Sequence, residues 1–334
     1  MSLPHIAIAS LGGTISMTPD EAAGGVTPVL TAAQLVAAVP GLSDVAHIVV
    51  AHTLFQLPSA SISCENVLTA LKWASDQVDM GATGVVLTQG TDTIEETAYL
   101  MDLYWRRPEP LVVTGAMRPP RAAGADGPGN LLAAVLTAAS AQSRQRGVLV
   151  AMNDVIHAAR YVRKRHTTAV QAFESPETGP QGMVIEGTVR YFHGVAPRAP
   201  QLPEPPMDMQ NVRVAIVQTW LGDTGELADM VRQAGYDGLV IAGQGGGHVP
   251  FAFAERFETL CQAMPVVVAT RAGAGPALSA TYGYVGSEVD LTRRGALMSG
   301  WLTPPKARTL LWALLASGTP REALAEAWAQ YVGP

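Results

Sequence analysis

The chain has 334 residues, 48% of them hydrophobic and 15% charged, and a formal net charge of -6 at pH 7. That length exceeds what one core usually supports and predicts about two domains, and the apolar content is too high for a disordered chain. The negative balance argues against a nucleic-acid partner, and no uncharged apolar run reaches the roughly 18 residues that a membrane span needs.

From the amino end, MSLPHIAIAS has neither the basic stretch nor the long apolar centre of a secretory signal, so it reads as a buried strand and predicts a cytoplasmic location. The strand runs into Leu11-Gly12-Gly13-Thr14-Ile15, where paired glycines allow a sharp turn and leave the Thr14 hydroxyl at the strand's carboxyl end. Taken alone, Gly-Gly-Thr after a strand is most often a plain turn. HIVV supplies another strand and SCENVLTALKWASDQV a helix. In GVVLTQGTDTIEETAYLMDLYW, Ile94, Ala98, Met101 and Trp105 share one helical face, and Thr93 with Glu96 has capping-box spacing, which predicts Thr93 as the N-cap. Gly90, Thr91 and Asp92 then lie between strand and helix, at the helix end where backbone N–H groups can stabilise an anion. The plainer reading makes Thr91 and Asp92 capping groups.

PLVVTGA and GVLVAM read as strands, and NLLAAVLTAASAQ as a helix capped by Asn130. Arg160, Arg163, Lys164, Arg165 and His166 form the densest basic stretch. Most such stretches are solvated faces, although a partly buried Lys164 could lower a hydroxyl's pKa or accept its proton. The proline-rich segment 196–211 cannot hold a regular helix or central strand, and predicts a linker between a larger N-terminal domain, 1–195, and a smaller C-terminal domain, 212–334. Strands in VRVAIVQTW, GLVIAG and PVVVATRA and helices in PKARTLLWALLAS and PREALAEAWAQYV fill the second domain. The rhythm predicts an α/β protein of two domains, each with a mostly parallel sheet covered by helices and with ligand sites beyond the strands' carboxyl ends. Cys64 and Cys261, far apart on predicted helices, are expected to be reduced core thiols.

Six segments, in this order and spacing, resemble the bacterial-type L-asparaginases over nearly the whole chain: GGTIS, TQGTDTIEETA, VVTGAMRPP, GADGPGNLLAA, MNDVI followed by RKRHTT, and PPKARTLL. Some members of that family also act on glutamine. The resemblance implies an amidohydrolase that converts L-asparagine and water to L-aspartate and ammonia through an acyl-threonine, with no metal or other cofactor. It implies Thr14 as nucleophile, with Thr91, Asp92 and Lys164 as the group beside it. For the substrate it implies that Asp92 receives the α-ammonium and Ser59 the α-carboxylate, with Gly90, Thr91 and Ala116 lining the site and the Ala116 carbonyl near the amide. A homo-oligomer, dimer or tetramer, is implied, with His248 and Glu288 contributed by a neighbouring subunit.

The chain departs from the family pattern at three places. No tyrosine stands between Thr14 and Leu30, where family members carry one on a mobile loop, although Gly24-Gly25 still permits a hinge. Ser59 is followed by Ala60 and Ser61 in place of Gln-Asp, and GQGGGHV replaces an asparagine-bearing turn. The alternatives are a glutaminase or other small-amide hydrolase, and a non-catalytic amino-acid-binding relative. A nucleotide site is disfavoured, since neither GQGGGH nor RAGAGPAL completes G-x-G-x-x-G.

Overall fold

The computed structural model describes residues 3–20, 24–203 and 211–333, and the chain divides into two compact units, Met1–Arg198 and Ala199–Pro334. The predicted linker straddles that division, and its residues 204–210 lie outside the described ones. Its first part is fastened down: Arg198 donates to the Asp102 carboxylate at 2.8 Å and to the Trp105 carbonyl at 3.1 Å.

In chain order the first unit begins with β1 His5–Gly12, a ribbon of β2 Met17–Asp20 and β3 Gly25–Pro28, α1 Ala32–Ala37, α2 Leu42–Val45, β4 His47–Leu57 and α3 Cys64–Asp79. It continues with β5 Gly84–Thr88, α4 Ile94–Tyr104, β6 Leu111–Thr114, α5 Gly127–Ala139, β7 Val148–Met152 and β8 Val155–Ala158. A second ribbon, β9 Arg163–Lys164 with β10 Phe173–Glu174, precedes the hairpin β11 Gly182–Ile185 and β12 Thr188–Tyr191. The main sheet has the order β12-β11-β8-β7-β6-β5-β1-β4, parallel from β7 through β4. Period-2 alternation lays Ile6, Ile8, Val86, Val112 and Leu149 against α1, α2 and α5. The opposite face receives α3 and α4, the latter through Ile94, Ala98, Met101 and Trp105, all essentially inaccessible.

Three strands depart from the expected parallel pattern. Asn153 and Asp154, at φ 52° and 60°, make a two-residue turn that sends β8 back antiparallel along β7. Asn and Asp tolerate that left-handed conformation, and its twist matches the strands it joins. β8 is only four residues long and runs into the basic stretch 160–166, while the β11–β12 hairpin turns at Glu186-Gly187, both at positive φ.

In the second unit, β13 Val214–Gln218, α6 Glu226–Gln233, β14 Gly238–Gly243, α7 Phe251–Ala254, α8 Phe257–Ala263, β15 Val266–Thr270, α9 Glu288–Arg293 and β16 Leu297–Met298 lead to α10 Pro304–Ala316 and α11 Leu324–Val332. All four strands are parallel, in chain order. Phe253, Phe257, Leu260 and Leu291 pack on Leu239, Ile241, Val266 and Val268. α10 packs against β13, β14 and β15. No helix of the described residues is long and apolar enough to cross a membrane, and both cysteines are free thiols. Burial pushes the Cys261 thiol up to about 11, a value at which thiolate chemistry near neutral pH is suppressed.

Candidate active site

The five parallel strands lie in the order β4-β1-β5-β6-β7, so the chain leaves β1 to one side and returns on the other at β5. In doubly wound sheets the crevice beyond such a reversal is where ligands bind. Thr14 follows the end of β1 and Thr91 the end of β5.

Two glycines let these ends meet. Gly13 has φ 83°, and a Cβ there would lie 1.9 Å from the Gly90 nitrogen, so the two backbones abut and no larger residue fits. At Gly90 the space of a Cβ is taken by Ser59, whose Oγ would lie 2.8 Å away. Ser59 arrives because Leu57 at the end of β4 is in register with Gly12. Ala116, fully buried, stands two residues beyond Thr114, the register partner of Thr88.

Thr91 is 5% exposed. Lys164 Nζ lies 2.9 Å from Thr91 Oγ1 and 2.7 Å from Asp92 Oδ1. The solvated-face reading of the basic stretch therefore fails for Lys164, because strand alternation in β9 separates it from its neighbours. Arg163 pairs with Glu177 at 3.0 Å, while Lys164 enters the site. Ser59 Oγ donates to Asp92 Oδ2 at 3.0 Å and receives the Asp92 N–H at 3.3 Å. The Lys164 hydrogen bond, with that of Ser59, outweighs partial burial and holds the Asp92 carboxyl below its ordinary range.

A depressed folded value means that the Asp92 contacts are fully present above the unfolded aspartate value, about 3.9, and are lost only as pH falls through the lower folded value. An NMR titration of the Asp92 carboxyl is expected to show its midpoint below that range. A midpoint at or above it would contradict the ion pair.

Two expected caps do different work. Thr93 occupies the N-cap position of α4 but makes no side-chain cap bond. Its hydroxyl instead donates to the Ser59 carbonyl at 3.1 Å, and no local pattern could announce a bond across 34 residues. Asn130 is not a cap either: Asp126 holds that position, and Asn130 lies a turn inside α5, 3% exposed. Its Nδ2 donates to the Gly115 carbonyl and to Asp126, each at 3.0 Å, and its Oδ1 accepts the Asn153 N–H at 2.8 Å. Asp126 also accepts the N–H groups of Met117 and Arg118, both at 2.9 Å, which fixes the turn after Ala116.

In the second unit His248 and Glu288 come together, Nε2 to Oε2 at 3.0 Å. Tyr284 OH lies 2.8 Å from His248 Nδ1. Glu288 is fully buried, and burial alone would raise its carboxyl. Hydrogen bonds from the Tyr282 and Thr281 N–H groups and His248 outweigh that and hold it below the usual range. A cavity of about 380 Å³ opens beside them, lined in part by Gln244, Gly245, His248 and Tyr284.

A threonine hydroxyl, a lysine ammonium and a carboxylate gathered at the reversal of a doubly wound sheet define an α/β protein with a small-molecule site suited to nucleophilic attack. The chain belongs to the asparaginase family: residues 5–196 match the family described as Asparaginase, N-terminal, and residues 213–327 the Glutaminase/Asparaginase C-terminal domain. It is 36% identical to L-asparaginase 2 of Escherichia coli strain K12, over 99% of this chain and 94% of that protein. Identity is 38% with a probable L-asparaginase of Deinococcus radiodurans, over 99% of each. The crystal structure of a probable cytoplasmic L-asparaginase from Campylobacter jejuni matches with a TM-score of 0.85 at 31% identity, covering 98% of this chain and 99% of that one.

Proposed function

We propose that the protein is an L-asparaginase, hydrolysing L-asparagine to L-aspartate and ammonia, with Thr14, Thr91, Asp92 and Lys164 as its catalytic residues. The observation that carries this reading is the lysine within hydrogen-bond reach of both Thr91 and Asp92. Thr14 Oγ attacks the side-chain carboxamide carbon, its hydroxyl proton passes by way of the Thr91 hydroxyl to the amide nitrogen, and the C–N bond breaks with loss of ammonia. Water then attacks the acyl-threonine carbonyl, its proton returns by the same route to Thr14 Oγ as the ester C–O bond breaks, and Lys164 polarises the Thr91 hydroxyl throughout. Backbone N–H groups at the end of β5 stabilise the tetrahedral oxyanion. Asp92 is well placed for the substrate α-ammonium: its side chain is 64% exposed. A carboxylate has about four lone-pair sites, so bonds to Lys164 and Ser59 leave room for another cation. Ser59 and Gly90 line the same end, and Ala116 the amide end. Asparagine and glutamine differ by one methylene, which a pocket separates by only about 1–3 kcal/mol, so glutamine turnover is compatible with the same site.

The reading includes a cytoplasmic, homo-oligomeric protein, with segment 196–211 joining its two domains, in which His248 and Glu288 reach the site of a neighbouring subunit. Exposed apolar side chains of the second unit, among them Leu221 at 94% and Phe251 at 66%, favour a covering copy. Solution mass by light scattering tests this, and a monomer would exclude a shared site. The function itself is tested by ammonia release from asparagine and glutamine with purified protein. Release from asparagine supports the assignment, and release from neither amide overturns it.

A further inference from the structure

The Thr93 hydroxyl stands at a helix N-cap and caps nothing. A threonine there ordinarily bonds the backbone of its own helix, so its diversion to another segment gives up local stabilisation for a tertiary contact. Gln89, fully buried, donates from Nε2 to Thr93 Oγ1 at 3.4 Å and to the Gly90 carbonyl at 3.3 Å. Thr93 Oγ1 in turn donates to the Ser59 carbonyl at 3.1 Å. Ser59 returns the contact through its own hydroxyl, which donates to Asp92 Oδ2 and accepts the Asp92 N–H. Two short 3₁₀ turns, Ser59–Ser61 and Thr91–Thr93, are therefore cross-tied, each by a hydroxyl of one bonded to the other.

The Asp92 carboxylate is the exposed end of this chain of bonds, whereas Ser59 is 4% exposed and its proton points at Asp92. Lys164 holds Asp92 Oδ1 and Ser59 holds Oδ2, so whatever fixes the Ser59 turn shares with Lys164 the placing of the Asp92 carboxylate. Thr93 makes that tie through the Ser59 carbonyl. We propose that Thr93 is a positioning residue for the ammonium-binding end of the site: through the Ser59 carbonyl it fixes the Ser59–Asp92 pair, and so selects amides that carry an α-ammonium. This inference rests on the asparaginase reading for its choice of substrates. Bond breaking at Thr14 and Thr91 does not pass through the Thr93 hydroxyl.

The test compares Thr93→Val, which keeps the shape and removes the hydroxyl, with Thr93→Ser, which keeps the hydroxyl, in the full chain. Ammonia release is measured from asparagine and from succinamate, the same amide without the α-ammonium. For Thr93→Val, KM for asparagine is expected to rise about tenfold, the scale of one lost hydrogen bond, with kcat within about twofold. Succinamate keeps the carboxylate assigned to Ser59 and lacks only the ammonium, so its KM should rise by no more than about threefold, and Thr93→Ser should restore KM for asparagine. Equal losses on both amides, an unchanged KM, or a failure of serine to rescue would overturn the proposal. A crystal structure of Thr93→Val reads the Ser59–Asp92 separation without catalysis. Should the wild type release ammonia from neither asparagine nor glutamine, the functional reading falls, and the positioning role stands if the two turns part and falls if they do not.

Discussion

Thr91→Val is expected to lower kcat for ammonia release from asparagine by roughly three orders of magnitude or more, and Thr14→Val to do the same, with each protein remaining folded. Valine fills nearly the same volume as threonine. In the 5% exposed Thr91 the change removes one hydroxyl bonded to Lys164, a loss of about 1 kcal/mol in stability that a two-unit chain of this size tolerates. Thr14 is only half-buried, so its substitution perturbs packing less. Activity, by contrast, loses a group whose oxygen either forms a covalent bond or passes a proton. Because the two threonines leave from abutting backbones at Gly13 and Gly90, they are expected to act as one unit. The double variant should then be scarcely slower than either single one, since the effects of residues that work together do not add. Steady-state ammonia assays beside thermal melts check this. A folded variant retaining a tenth of the wild-type rate would remove that threonine from the mechanism.

Lys164→Met is expected to cost about 10²–10⁴ in kcat, the range for a positioned proton-transfer group. Methionine keeps the unbranched stem, so what is lost is the ammonium. Its two partners respond unequally: Thr91 is buried and loses its donor, whereas the Asp92 carboxylate is 64% exposed and is resolvated by water. For that reason the fold should survive while the reactive hydroxyl is left without its polarising neighbour. Lys164→Arg is not a conservative substitute here, because a planar guanidinium cannot place one nitrogen between a hydroxyl and a carboxylate as a compact ammonium does. It should recover little of the rate. Near-wild-type kcat in either variant would place the activating group elsewhere.

Much of the site was legible in the chain, because the signals are local. The glycine pair before Thr14 and the Gly90-Thr91-Asp92 run between a buried strand and an amphipathic helix both announce loops at the carboxyl ends of strands. Lys164 was not legible from its own surroundings, since a run of basic residues looks the same whether one of them turns inward or none does. Only the pairing of β9 with β10 separates Lys164 from Arg163 and Arg165. The caps expected of Thr93 and Asn130 failed for a related reason. Capping patterns describe what a side chain can reach within its own helix, and both residues found partners that folding had brought closer or better aligned.

By itself the sequence determined the α/β class, the division into two domains and the core faces of the main helices, which follow from hydrophobic period and turn chemistry acting over a few residues. Thr14, Thr91 and Asp92 were joined in one candidate site only by the resemblance to the asparaginases. The tertiary structure decided which hydroxyl meets which charge. Ser59 and Asp92 are 33 residues apart and Thr91 and Lys164 73 residues apart, yet each pair is in hydrogen-bond contact. Such contacts depend on strand order, register and the close approach of glycine backbones, which are set by packing of the whole sheet and leave no periodic mark in the chain.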